Sequence, residues 1–154
     1  MKTKVVYRSE IDVKKSLLAR DYITDLEDVP TTAWGGLAEV AEACFKTAKS
    51  KGWWESYEGR KLTHDELASK LCLIHSEVSE ALEDVRAGGD PTKLLPTNPH
   101  GPSVKPMGFP SELADIVIRV FDLCGFLGID IAEVIRIKMA YNETRPYRHG
   151  GKKL

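Results

Sequence analysis

Cysteine is scarce in this chain. Cys44, Cys72 and Cys124 are the only three in 154 residues, odd in number, far apart and never in a CxxC pair, so neither zinc nor dithiol redox chemistry is signalled. Each stands among apolar neighbours at helical spacing, which predicts buried free thiols. Charge of one sign is also lacking. With 22 Lys and Arg against 23 Asp and Glu, no global field recruits nucleic acid or an anionic membrane. No uninterrupted apolar run approaches the roughly 20 residues needed to span a bilayer. The opening MKTKVVYRSEID has no apolar core of a signal peptide, so a cytoplasmic protein without membrane partners is expected. There is no P-loop, no GxGxxG, and no serine or cysteine nucleophile with a matching His and Asp.

What is present points to helices. The chain is 42% hydrophobic and 29% charged, and rich in Ala, Leu, Glu, Lys and Arg, the composition of one helix-rich globular domain. Residues 1–30 are weakly patterned, with KVVY as a candidate short strand, and are read as an N-terminal extension to a domain over 31–154. From Thr32 onward Trp34, Leu37, Ala41, Cys44, Phe45 and Ala48 recur at steps of three and four, predicting a first helix that ends near Gly52. KGWWESYEGRK then reads as a loop. Thr63 and Glu66 have the spacing of a capping box and open a second helix. Its seam is Leu67, Leu71, Ile74, Val78, Ala81 and Val85, and AGGDP stops it.

Pro91, Pro96, Pro99, Pro102, Pro106 and Pro110 make the next segment a long proline-rich loop unfit for regular structure. Pro110 suits the first turn of a third helix, SELADIVIRVFDLCGFLG, which Gly128 can close. Asp130 and Glu133 have capping-box spacing for a fourth helix running to about Arg145. Four amphipathic helices predict an all-α fold with a four-helix bundle-like core. Its broad apolar faces exceed what one small bundle can bury, so a homodimer or higher homo-oligomer is expected.

The acids of these helices are not scattered. Positions three, four and seven apart share a helix face, so Glu77, Glu80 and Asp84 form one stripe on the second helix. Glu112 and Asp115 stand three apart on the third, with Arg119 and Asp122 continuing the row. Acids on a helix are usually a solvated face. The third helix, however, is apolar over most of its circumference through Leu113, Ile116, Val117, Ile118, Val120, Phe121 and Cys124, which predicts burial by neighbours or by a second subunit. A buried acid stripe without cations is strongly penalised. Hard carboxylate oxygens suit Mg²⁺, with Mn²⁺ as the alternative, better than zinc.

On the fourth helix Lys138 lies within the apolar stripe of Ile131, Val134 and Ile135, and Tyr141, Asn142 and Arg145 continue along that face. Such donors suit a polyphosphate, since an arginine grips phosphate oxygens in a fork. The bland alternative is that Lys138 neutralises the acids or snorkels.

Together E77-V-S-E80, E112-L-A-D115 and the run KMAYNETRPYRHGGKKL resemble the MazG-like, all-α nucleoside triphosphate pyrophosphohydrolases. The likeness extends from about residue 33 to the end and includes AKSKGWWES. It implies a Mg²⁺-dependent cleavage of a nucleoside triphosphate to monophosphate and pyrophosphate. It also implies Glu77, Glu80, Glu112 and Asp115 as metal ligands, and Lys138, Tyr141, Asn142 and Arg145 as phosphate contacts. Ser76 stands where the fuller family motif has the first of two adjacent acids. Within that chemistry Glu80 is the expected proton acceptor for water, and Lys138 and Arg145 the stabilisers of the departing pyrophosphate. A non-catalytic helical module whose acids hold a structural cation is the competing reading.

Trp53 and Trp54 are candidates for stacking on a base, although adjacent loop residues rarely share one task. His75 is read as a satisfied core or interface histidine, His64 as a helix-start residue and His100 as a loop residue. The basic tail RPYRHGGKK has no interleaved aromatic beyond Tyr147, which favours closure over a substrate phosphate above nucleic-acid binding.

Overall fold

Each helix that the sequence pattern predicts is formed. In the computed structural model, residues 31–96 and 105–148 are described. They run α1 (Thr31–Ser50), a short 3-10 turn (Glu55–Tyr57), α2 (His64–Arg86), β1 (Leu95–Pro96), β2 (Pro106–Met107), α3 (Phe109–Leu127) and α4 (Ile131–Glu143). The fold is all-α apart from the two-residue strands. KVVY and His100 lie outside the described residues, as does the tail beyond Arg148. Leu37–Ile131 make one compact unit; the start of α1 and α4 from Ala132 belong to a second. No helix among the described residues is long and apolar enough to cross a membrane.

Local chemistry fixes the helix ends. The Thr63 hydroxyl accepts a hydrogen bond from the Glu66 N–H at 3.2 Å, and the Glu66 carboxylate accepts one from the Thr63 N–H at 2.8 Å. The capping box therefore starts α2, with His64 as its first residue. Arg60 donates to both Glu66 oxygens at 2.9 and 2.7 Å. Proline in the first turn opens α3, and Gly128, at φ 68°, closes it in the left-handed conformation that glycine adopts without strain.

A prediction follows from the capping box. The Arg60 side chain first, then the Thr63 N–H, lowers the Glu66 carboxyl from 4.5 to about 2. A carboxyl depressed by folding contributes stability that is present above its unfolded value and lost as pH falls through the folded one. Acid titration between 4.5 and about 2 should therefore weaken the start of α2. Thr63→Ala should destabilise the protein by about 1 kcal/mol in denaturant melts at neutral pH, and a variant that melts like the parent would show that the box is idle.

The core of the 37–131 unit gathers Trp54, Leu62 and Leu123, packed by Phe45, Tyr57, Leu67, Ile74, Phe126 and Leu127. Trp54 is 2% exposed and stacks on Phe126 with ring centroids 4.1 Å apart. Its loop is less irregular than expected, because the 3-10 turn hands Tyr57 onto the same cluster. At Gly125 a side chain is missing for a reason: an added Cβ would stand 2.6 Å from Cγ of Phe45, so α1 and α3 touch closely there. α2 packs along α3.

Several expectations need correction. The α2 seam divides by sevens: Leu67, Ile74 and Ala81 turn inward, whereas Leu71, Val78 and Val85 remain exposed. The seven-residue step keeps each subset on its own side of the helix. Leu113, Val117 and Ile118 of α3 are also exposed in the single chain, on a face for which a second subunit is the expected alternative to a neighbouring helix. The buried-thiol expectation holds for Cys124 only, since Cys44 is half-buried and Cys72 exposed; Cys72 sits in the run LCLI, where apolar neighbours do not tell the sides apart. His75 is exposed, not cored. Finally, the described ends of the proline-rich segment pair, Leu95 with Met107 and Pro96 with Pro106, in a two-residue antiparallel ladder. The facing prolines have no N–H to donate, which limits its length.

Candidate metal centre

Packing α2 on α3 sets E77-V-S-E80 against E112-L-A-D115. One carboxylate oxygen from each of Glu77, Glu80 and Glu112 lies within 4.8 Å of the other two. Glu77 and Glu112 are buried, and Glu80 faces solvent. Asp115 lies outside this trio yet close enough to act on it. Burial first, then Glu80, Asp115, Glu77 and Asp84, push the Glu112 carboxyl above its ordinary range. Water cannot relieve such crowding at a buried group, whereas a hard divalent cation does. The trio is all oxygen, with no histidine or cysteine, which is the donor set of a hard cation. These acids can hold a metal ion. Ser76 adds no charge here: its hydroxyl donates to the Leu73 carbonyl at 2.8 Å on its own helix.

Arg119 answers part of the same demand from the protein side. Its Nε donates to Glu77 Oε1 at 2.7 Å, and Nη2 stands 2.6 Å from the same oxygen. The sequence marks Arg119 only as a continuation of the acid row. Its position four residues beyond Asp115 is the signal that it shares their face.

Arg119 and Asp115 also line a cleft of about 630 Å³. One wall is a single stripe of α1, Val40, Ala43, Cys44, Thr47 and Ala48, with Lys51 just past its end, and the others are Lys70 and Leu73 of α2 with Ile118, Asp122 and Leu123 of α3. All of these residues belong to the 37–131 unit. At the cleft, Asp122 Oδ1 accepts a 2.6 Å hydrogen bond from Trp54 Nε1. Burial raises the Asp122 carboxyl, against the Trp54 bond and the Lys70 and Arg119 charges. The Lys70 ammonium lies 4.1 Å from the Trp54 ring centre, over its face.

The two tryptophans divide their tasks. Trp54 is held by Phe126, Lys70 and Asp122, so its rings are largely taken up by packing. Trp53 also lines the cleft and is 68% exposed.

The basic set belongs to the second unit and is described by itself. Lys138, Tyr141 and Asn142 are exposed on α4, and Arg145 lies just past its end at Glu143. The fourth helix thus ends within two residues of the expected end near Arg145. Lys138 Nζ is 5.0 Å from the Tyr141 ring centre and Arg145 Cζ 5.9 Å. The phenol therefore gathers both cations on one patch.

No protein-family model matches the chain, and no solved structure does. Over 64 residues, 42% of its length, the chain is 38% identical to a protein named dATP/dGTP diphosphohydrolase from Cyanophage S-2L. The matched stretch spans 61% of that relative, less than two thirds of its length.

Proposed function

We propose that residues 31–154 form a MazG-like, Mg²⁺-dependent nucleoside triphosphate pyrophosphohydrolase that converts an NTP or dNTP to its monophosphate and pyrophosphate. The observation that carries this reading is the convergence of Glu77, Glu80 and Glu112 oxygens within 4.8 Å, two of these residues being buried. The partial likeness to a protein named as a dATP/dGTP diphosphohydrolase agrees with it.

Glu77, Glu80, Glu112 and Asp115 would hold the cation. When bound, Mg²⁺ or Mn²⁺ neutralises phosphate charge and acidifies a water. Glu80, the solvent-facing acid of the trio, accepts the proton of the water that attacks the α-phosphorus. The bond from that phosphorus to the bridging oxygen breaks, and pyrophosphate leaves with the bonding pair. Lys138 and Arg145, with Tyr141 and Asn142 as hydrogen-bonding partners, take the phosphate-contacting roles that the resemblance assigns to them. Trp53 offers an open aromatic face to the base.

We also propose a homodimer or higher homo-oligomer. The exposed row of Leu71, Val78, Leu82 and Val85 on α2, with Leu113 and Val117 on α3, supports it.

A panel of NTPs and dNTPs with Mg²⁺ tests the activity. Pyrophosphate release is the expected result; orthophosphate alone, or no turnover of any nucleotide, would overturn the reading. One observation favours the second reading, a helical module with a structural cation: Arg119 already gives Glu77 a counter-charge. That reading expects Mg²⁺ to raise the melting temperature with no turnover in the parallel assay.

A further inference from the structure

The hydrolase reading has no use for Asp122. A carboxylate set among Cys44, Leu73, Ile118 and Leu123 in an apolar-walled cleft is costly unless it has work to do there. Its one hydrogen bond among the described residues is the 2.6 Å bond that Oδ1 accepts from Trp54 Nε1. A carboxylate has lone pairs for about four donors, so most of its accepting capacity is unfilled by the protein. It has no proton to give when ionised; burial raises its carboxyl, and the Trp54 bond and the Lys70 and Arg119 charges work against that rise in favour of the ionised form.

Position decides what would use that capacity. Asp122 follows Asp115 by two helical turns, about 10 Å along the axis of α3. Both line the same cleft, Asp115 beside the acid trio. A nucleotide whose α-phosphate lies at the acids extends its sugar and base by about this length. The exposed Trp53 lines the same cleft and supplies a flat face there.

We propose that Asp122 is a specificity-determining residue that accepts a hydrogen bond from an exocyclic amino group at purine C6 or pyrimidine C4 of the substrate's base, selecting adenine and cytosine nucleotides over those with an oxo group there, uracil, thymine and hypoxanthine. The proposal rests on the hydrolase reading for the direction in which the nucleotide lies. The chemistry turns on that one position: an amino group there donates to the carboxylate, whereas the oxo group that uracil, thymine or hypoxanthine carries there meets it lone pair to lone pair. A polar site left with a mismatched partner rejects it far more strongly than an apolar pocket rejects a missing methyl.

The test compares bases that differ at the amino position. The wild-type chain should turn over dCTP at least tenfold better than dUTP by kcat/KM, and dATP better than dITP. Asp122→Asn keeps an oxygen for Trp54 Nε1 and adds an N–H₂ donor, so the dCTP to dUTP ratio should fall at least tenfold while Trp54 emission stays unchanged. A residue that merely anchors Trp54 would leave that ratio fixed. Equal turnover of both pairs by the wild type overturns the proposal even where the variant fails to fold. Binding of dCMP and dUMP without metal, followed by tryptophan quenching, separates the two readings. Amino-selective binding with no triphosphate turnover sinks hydrolysis but supports the base contact; turnover with no base preference does the reverse.

Discussion

Glu80→Gln is expected to lower kcat by more than about 100-fold, beyond the loss that removal of an outer-shell partner of a metal causes. The protein should remain folded. Glu80 is exposed, and glutamine keeps its shape while removing the charge needed both to hold a cation and to accept a proton. Its charge is the largest of those that push the Glu112 carboxyl up, so its removal relieves repulsion in the metal-free protein. The variant should therefore melt no lower than the parent without Mg²⁺, and gain less than the parent when Mg²⁺ is added. Pyrophosphate release at the parental rate would place the chemistry elsewhere.

Arg119→Met should cost about 3 kcal/mol of stability in metal-free protein, the lower end for one partner lost from a buried pair because Arg119 is itself partly exposed. The reason is the acid left behind. Glu77 is 5% exposed, stands with Glu80 and Glu112, and would have lost both donors at Oε1. Saturating Mg²⁺ should recover most of the loss, since a ligand that binds only the folded state stabilises it by mass action. Denaturant melts with and without Mg²⁺ read both effects. A variant as stable as the parent would mean that the pair contributes nothing; a loss that Mg²⁺ leaves untouched would remove Glu77 from the cation site. A double-mutant cycle with Glu77→Gln isolates the pairwise part.

The sequence is legible where one short segment decides the outcome. Thr63 with Glu66, the proline before α3 and Gly128 after it act within a turn or two, and the helix ends fall where these residues set them. The three-residue spacing of the acid pairs also suffices to put each pair on one face. Legibility fails where two helices must meet. That Arg119 would reach Glu77, 42 residues away, depends on how α2 crosses α3. Asp122 belongs to the same row but finds Trp54 instead. Trp53 and Trp54 are adjacent and identical in type, and the pattern does not tell that Trp54, at the start of the 3-10 turn, enters the core while Trp53 stays exposed. The facing prolines beside Leu95 and Met107 show the converse, local residues that discourage pairing overruled at a two-residue ladder.

The contact between Gly125 and Phe45 has a bearing on the width of the cleft. α1 and α3, the helices it brings together, each supply a wall of the cleft that holds Asp122 and Trp53. Helices are stiff rods, so a methyl group introduced at this one point would act as a wedge, and the displacement would be carried along the rods to the walls. The absent side chain therefore works as a spacer set to its minimum, fixing how near the two walls of the cleft stand to each other.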